Sequence, residues 1–203
     1  MIRKWMSSCN EYHSDCAEHN PRRISHFWLI DCETRMLAKS RGDEAYTALS
    51  YVWGNPAPKA SESAIGKQLP SQLPQTIEDA MTVTRKLDLQ YIWIDRYCIL
   101  QTANPHKSEQ LRQMDKVYHN ACITLVAAVG TDPSHGLPGV GPVPRVPQPS
   151  VKVADYLLAS SMSNPKLLIR RSPWMTRAWT YQEAICSRRL LAFTEQQVYY
   201  ECG

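Results

Sequence analysis

The sequence predicts an α/β domain: a mostly parallel sheet flanked by helices, interrupted by an irregular insertion and closed by a C-terminal hairpin. Three observations carry this. Apolar runs at 47–53, 91–95 and 122–129 have the continuous burial signature of strands covered on both faces. Between them the apolar residues change to helical spacing. The resulting order of strand, helix, strand, helix, strand favours parallel pairing through right-handed crossovers.

Each element has its own justification. Residues 1–25 hold an amphipathic start, a Cys/His-rich patch and a Pro-Arg-Arg turn, and His26–Asp31 reads as a short strand. The run 47–53 is stopped by Gly54-Asn55-Pro56, strong turn chemistry, and a loop rich in Ser, Ala and Lys leads to Pro74. Ile77, Ala80, Met81, Thr84 and Leu87 then recur at helical spacing, with Pro74 suited to the first turn. The Tyr91–Ile94 run ends in the carboxylate of Asp95. A second helix is expected from Glu109 to Asn120, capped by Ser108 and burying Leu111, Met114, Val117 and Tyr118. Residues 130–173 hold eight of the 14 prolines and four of the eight glycines, so an irregular insertion is expected there, with a weak strand or helix at 151–160. A short helix near 179–187 and a hairpin of 189–193 with 197–201 complete the pattern.

Composition sets outer limits. A chain of 203 residues, 43% hydrophobic and 21% charged, is sized for one compact domain with an appended segment. The formal charge of +4 is spread along the chain, which argues against a nucleic-acid partner. No apolar run is long enough to span a bilayer, and the start MIRKWMSSCNEYHSDC is too polar for a secretory leader. A cytoplasmic chain whose seven cysteines are reduced thiols is the resulting expectation.

Four segments, taken together and in order, resemble the heterokaryon incompatibility (HET) family of fungi. They are Ala48-Leu-Ser-Tyr-Val-Trp-Gly54; Leu73-Pro-Gln-Thr-Ile-Glu-Asp-Ala80 leading into the run 91–101; Gln113-Met-Asp-Lys-Val-Tyr-His-Asn-Ala121 with its apolar strand; and Arg177-Ala-Trp-Thr-Tyr-Gln-Glu183. The resemblance implies a HET domain at 46–203, with the insertion at 131–172, and an N-terminal segment at 1–45 packing on the core. Two features depart from the family pattern. Arg96-Tyr97 is bulkier than expected between Asp95 and Cys98, and the chain stops just after the hairpin, as a fragment or minimal member would. HET domains in turn look like remote relatives of TIR domains, which are flavodoxin-like modules of immunity. Trp179-Thr-Tyr-Gln-Glu183 resembles the tryptophan-and-glutamate helix after the third TIR strand, whose glutamate serves cleavage of NAD in the active members.

The resemblance therefore implies a death effector of fungal non-self recognition that self-associates and answers to an upstream NLR-type or allorecognition partner. It implies Glu183 as the catalytic residue and NAD as substrate rather than cofactor. The other reading is a non-catalytic adaptor acting through self-association alone.

In open α/β sheets ligands bind beyond the carboxyl ends of the strands, where the strand order reverses. Tyr51, Trp53 and Gly54 fall at one such end, Asp95 and Arg96 at the next, and Trp179 and Glu183 on the helix after the insertion. A carboxylate beside the ribose could stabilise an oxocarbenium-like state, aromatic faces could stack on a ring, and Arg96 could hold a phosphate. Each has a plainer structural alternative. Glu183 could pair with Arg177 or Arg188, Asp95 could stabilise a turn, and Trp53, Trp93 and Trp179 could be core. Cys98 reads as a buried thiol, and no glycine-rich phosphate loop of either common type is present. Cys9, His13, Cys16 and His19 have zinc-ligand chemistry, but all four lie on one segment. Packing of Cys9 and Cys16 is favoured over a metal site, and no metal ligand is assigned.

Overall fold

A computed structural model describes residues 1–17, 20–54, 68–99 and 105–203. His19 and most of the Ser/Ala/Lys-rich loop expected after Gly54 lie outside the described residues. The chain opens with α1 (Ile2–Tyr12) and the single turn α2 (Ser14–Ala17). Strands β1 (Trp28–Asp31) and β2 (Leu37–Lys39) follow as a hairpin. Its turn is set by Asp31, whose Oδ1 accepts the amides of Glu33 and Thr34 at 2.8 and 2.9 Å, and Arg35 takes a left-handed φ of 58°.

The parallel core consists of β3 (Tyr46–Ser50), β4 (Tyr91–Ile94) and β5 (Ile123–Ala127). The crossovers are α3 (Gln75–Lys86) and, after the short α4 (Asp95–Cys98), the pair α5 (Pro105–Arg112) and α6 (Met114–Asn120). Beyond β5 come the hairpin β6 (Ser150–Val153) and β7 (Tyr156–Ala159), α7 (Pro165–Arg170), a 3₁₀ turn at Pro173–Thr176, α8 (Thr180–Cys186), β8 (Arg189–Phe193) and β9 (Val198–Cys202).

Seven strands form one sheet in the order β2-β1-β4-β3-β5-β8-β9. The four inner strands, β4-β3-β5-β8, are parallel, and the flanking pairs are antiparallel. Among the parallel strands this is the second-first-third-fourth order of flavodoxin-like folds, so the order reverses beside β3.

The register assigns each face. Thr47 Oγ1 meets Thr84 Oγ1 of α3 at 2.6 Å, so Thr47, Leu49 and their partners Ile92, Ile123 and Leu125 look toward α3. Tyr46, Ala48 and Ser50 look the other way. There Tyr46 Oη donates to the Val117 carbonyl at 2.7 Å, and Trp93 packs edge-on against Tyr118 of α6 at 5.6 Å. Helices on both faces explain why every residue of β3 and of β5 is buried.

The expected helix at 109–120 differs in detail. Helix begins at Pro105, a residue suited to a first turn, so Ser108 lies inside α5 rather than capping it. The helix then breaks at Gln113, whose side chain accepts from the Ser25 amide at 2.8 Å. Leu111 is 38% exposed rather than core. The strands are also shorter than their apolar runs: β3 ends at Ser50, leaving 51–54 to leave the sheet, and Gly54 takes a φ of 83° with Asp132 where a Cβ would stand. β8 is more than half of a hairpin, since it also pairs in parallel with β5.

Within 131–172 the first part docks on α3. The Asp79 carboxylate accepts from the Leu137 amide at 2.7 Å, and Leu137 is fully buried. Every residue of β6 and β7 is exposed.

Candidate functional site

At the carboxyl end of the parallel strands, on the α6/α8 face, lies a cleft of about 430 Å³. Trp53, Asp95, Ile99, Lys107, Leu111, Met114, Arg177, Trp179 and Glu183 line it. Its position follows from the topology: β3 and β4 end there, and α8 closes it from the far side of the insertion.

Glu183 is 1% exposed, on the inward face of α8. Ser50, the last residue of β3, donates its hydroxyl hydrogen to Glu183 Oε2 and accepts from the indole Nε1 of Trp174 at 2.6 Å. Arg177 lays its two terminal nitrogens against the two Glu183 oxygens at 3.5 Å each, a long but forked approach. The Glu183 carboxylate is thus oriented from the sheet side by Ser50 and from the cleft side by Arg177.

Asp95 opens α4 directly beyond β4. Its carboxylate accepts from the Arg96 amide at 2.7 Å and from the Trp53 indole Nε1, at 3.1 Å to each oxygen. Burial and the neighbouring negative charge of Glu183 push its pKa up to about 7, while Arg177, the Arg96 amide and the Trp53 indole act in the opposite direction. Near neutrality this carboxyl is poised to give or take a proton, which suits it to acid–base work beside a second carboxylate.

Two buried phenols stand in the same field. Burial holds both hydroxyls well above their ordinary range, helped at Tyr51 by the charge of Asp95 and at Tyr118 by those of Glu183 and Asp95. Neither hydroxyl has a hydrogen-bond partner among the described residues.

The structure therefore brings Trp53, Asp95, Trp179 and Glu183 together around one cleft. Trp179 is 55% exposed at its wall, whereas Trp93 is core. Tyr51 is buried, and Gly54 and Arg96 do not line the cleft; the Arg96 guanidinium lies 6.0 Å from the centre of the Tyr97 ring. Among the described residues, the cations of the cleft wall are Arg177 and Lys107. Of the two partners expected for Glu183, Arg177 is the one used, and Arg188 instead donates to the carbonyls of His119 and Cys16. Cys98 is a buried thiol raised by its burial.

Sequence reasoning missed Ser50 and Trp174. Ser50 carried a weak signal, a polar residue closing an otherwise apolar strand, and Trp174 carried none. A hollow of about 490 Å³ beside Asp132, Arg171 and Glu195 is slightly larger, but those charged groups are exposed and face water. The cleft differs in having two carboxylates buried in its wall, Asp95 and Glu183.

Fold and cleft define a flavodoxin-like α/β domain with two buried carboxylates at the switch in strand order. Residues 46–183 match the family described as Heterokaryon incompatibility protein (HET), and the chain belongs to that family. It is also similar to Heterokaryon incompatibility protein 6, OR allele, of Neurospora crassa, with 30% identity over 90 residues. That match covers 38% of this chain and 13% of the Neurospora protein. No solved structure matches. No helix among the described residues is long and apolar enough to cross a membrane.

Proposed function

We propose that the chain is a cytoplasmic effector of heterokaryon incompatibility that cleaves NAD at its nicotinamide–ribose bond once it has self-associated. The observation that carries this is the pairing of buried Glu183 with Asp95 in a cleft walled by Trp53 and Trp179. The C–N bond breaks with its electron pair leaving on nicotinamide, and the ribose becomes an oxocarbenium-like cation. Glu183, oriented by Arg177 and Ser50, stabilises that cation. Water then adds to the ribose, and Asp95 takes the proton before releasing it to solvent, so NAD and water yield ADP-ribose, nicotinamide and a proton. Trp179 offers a face for an aromatic ring, and Arg177 with Lys107 supplies positive charge for the diphosphate.

The test is nicotinamide release from NAD by purified chain, dilute and then artificially clustered. Clustered wild type should release nicotinamide, and Glu183→Gln should lower the rate a hundredfold or more, equivalent to about 3–4 kcal/mol of lost electrostatic stabilisation, while remaining folded. A folded Glu183→Gln chain that still cleaves NAD would falsify the catalytic assignment.

A second reading has its own support. Tyr181 and Ile185 of α8 are 70% and 66% exposed, an apolar face suited to a chain that signals by assembly alone. In that case clustered wild type releases no nicotinamide, and Glu183→Gln kills cells as wild type does.

A further inference from the structure

Cys9 lies near the end of α1, His13 follows that helix directly, Cys16 sits in α2, and Cys202 ends β9. One ligand atom from each lies within 4.8 Å of all the others. His13 Nδ1 is 3.1 Å from Cys202 Sγ, across 189 residues of sequence. The objection to a metal on the N-terminal segment was that all its candidate ligands came from one stretch. The fold answers it by bringing Cys202 from the far hairpin.

We propose that Cys9, His13, Cys16 and Cys202 form a closed structural zinc site. Three sulfurs and one imidazole are the donor set zinc takes in tetrahedral sites with no open position. Zinc–sulfur bonds of about 2.3 Å place tetrahedral sulfurs about 3.8 Å apart, so even the most widely separated pair, within 4.8 Å, needs to close by no more than about 1 Å.

An independent observation points to the same ligand. Arg189 is 4% exposed, yet it has no carboxylate partner among the described residues. Its Nε lies 3.3 Å from Cys9 Sγ, and its other nitrogens donate to Asn10 Oδ1 and to the carbonyls of Cys16 (2.8 Å) and Cys122 (3.2 Å). A buried guanidinium without an anion is costly. Zinc bound by three thiolates and a neutral imidazole carries one net negative charge, which Arg189 balances at hydrogen-bond range. On binding, the thiol protons pass to solvent and no oxidant is needed. The site would clamp α1 and α2 to the β8–β9 edge of the sheet, and it is independent of the cleft chemistry.

The experiment uses the full chain purified with reductant. Native mass spectrometry of the wild type should show one zinc per chain. Chelator-stripped chain titrated with cobalt(II) should develop the intense d–d bands of a tetrahedral site and sulfur-to-cobalt charge transfer. Cys202→Ser should lose charge-transfer intensity and bind metal at least tenfold more weakly, as expected of a ligand when outer-shell partners alone are worth 10- to 100-fold. Cys186→Ser, outside the cluster, should match wild type. A folded wild-type chain free of zinc that gives only weak octahedral cobalt absorption would overturn the proposal, and so would a disulfide among Cys9, Cys16 and Cys202 in the reduced preparation. Zinc stoichiometry on the wild type decides the matter even if Cys202→Ser does not fold.

Discussion

Asp95 shows how one residue can be set against the stability of its own fold. Unfolded, its carboxyl titrates near the ordinary 3.8; folded, burial and Glu183 raise it to about 7. Between those values the folded chain holds a proton that the unfolded chain has released. Stability therefore falls as pH rises from about 4 to about 7, and this loss is absent below that window. Asp95→Asn removes the titration, so its thermal midpoint should vary less with pH and exceed that of wild type above neutrality, by on the order of a few kcal/mol of stability. Parallel pH profiles for the two proteins would mean that Asp95 ionises normally. At this scale Trp53 and Asp95 were legible because each closes a recognisable apolar run, whereas Trp179 and Glu183 were legible only through the family resemblance of the 177–183 segment. The sequence did not reveal the Trp174–Ser50–Glu183 chain of hydrogen bonds. That contact depends on where α8 lands after a long insertion, and no local spacing encodes it.

Elements were legible where burial is continuous and obscure where contacts are non-local. The central strands stand out because both faces are covered, yet Tyr51-Val-Trp53 extends the apolar run past the true end of β3 to serve the cleft. The parallel pairing of β8 with β5 was hidden behind a local hairpin signal. The insertion divides in two. Its first part is pinned by Leu137 and Asp79, whereas the β6–β7 hairpin pairs only with itself, and two isolated strands are marginal in water. Replacing 150–159 by a short Gly-Ser linker should change stability by less than about 1 kcal/mol. Hydrogen exchange in those strands should be much faster than in β5. Protection equal to that of β5 would show that the hairpin is covered in solution.

For the molecule as a whole, α8 faces two ways. Thr180 and Glu183 point inward, while Tyr181 and Ile185, four residues apart, present an apolar outer face. Assembly through that face would load the helix that carries Glu183, a direct mechanical link between clustering and the cleft. If the proposed assembly uses this face, the double variant Tyr181→Glu, Ile185→Glu should fold normally, stay monomeric in sedimentation where the wild type assembles, and lose cell killing. A charged variant that still assembles and kills would place the contact elsewhere.

The separation of Ser50 and Glu183 by 133 residues has a consequence for synthesis. A ribosome releases β3, β4 and β5 long before α8 and β8. Until 189–193 emerges, one edge of β5, a strand with all five residues buried in the finished sheet, has no neighbour. A chain interrupted before α8 therefore lacks Glu183 and one wall of the cleft while displaying a bare hydrophobic edge for chaperones to cover. Whatever the cleft holds is incomplete until α8 and β8 have emerged and docked, a delay set only by the order in which the elements are made.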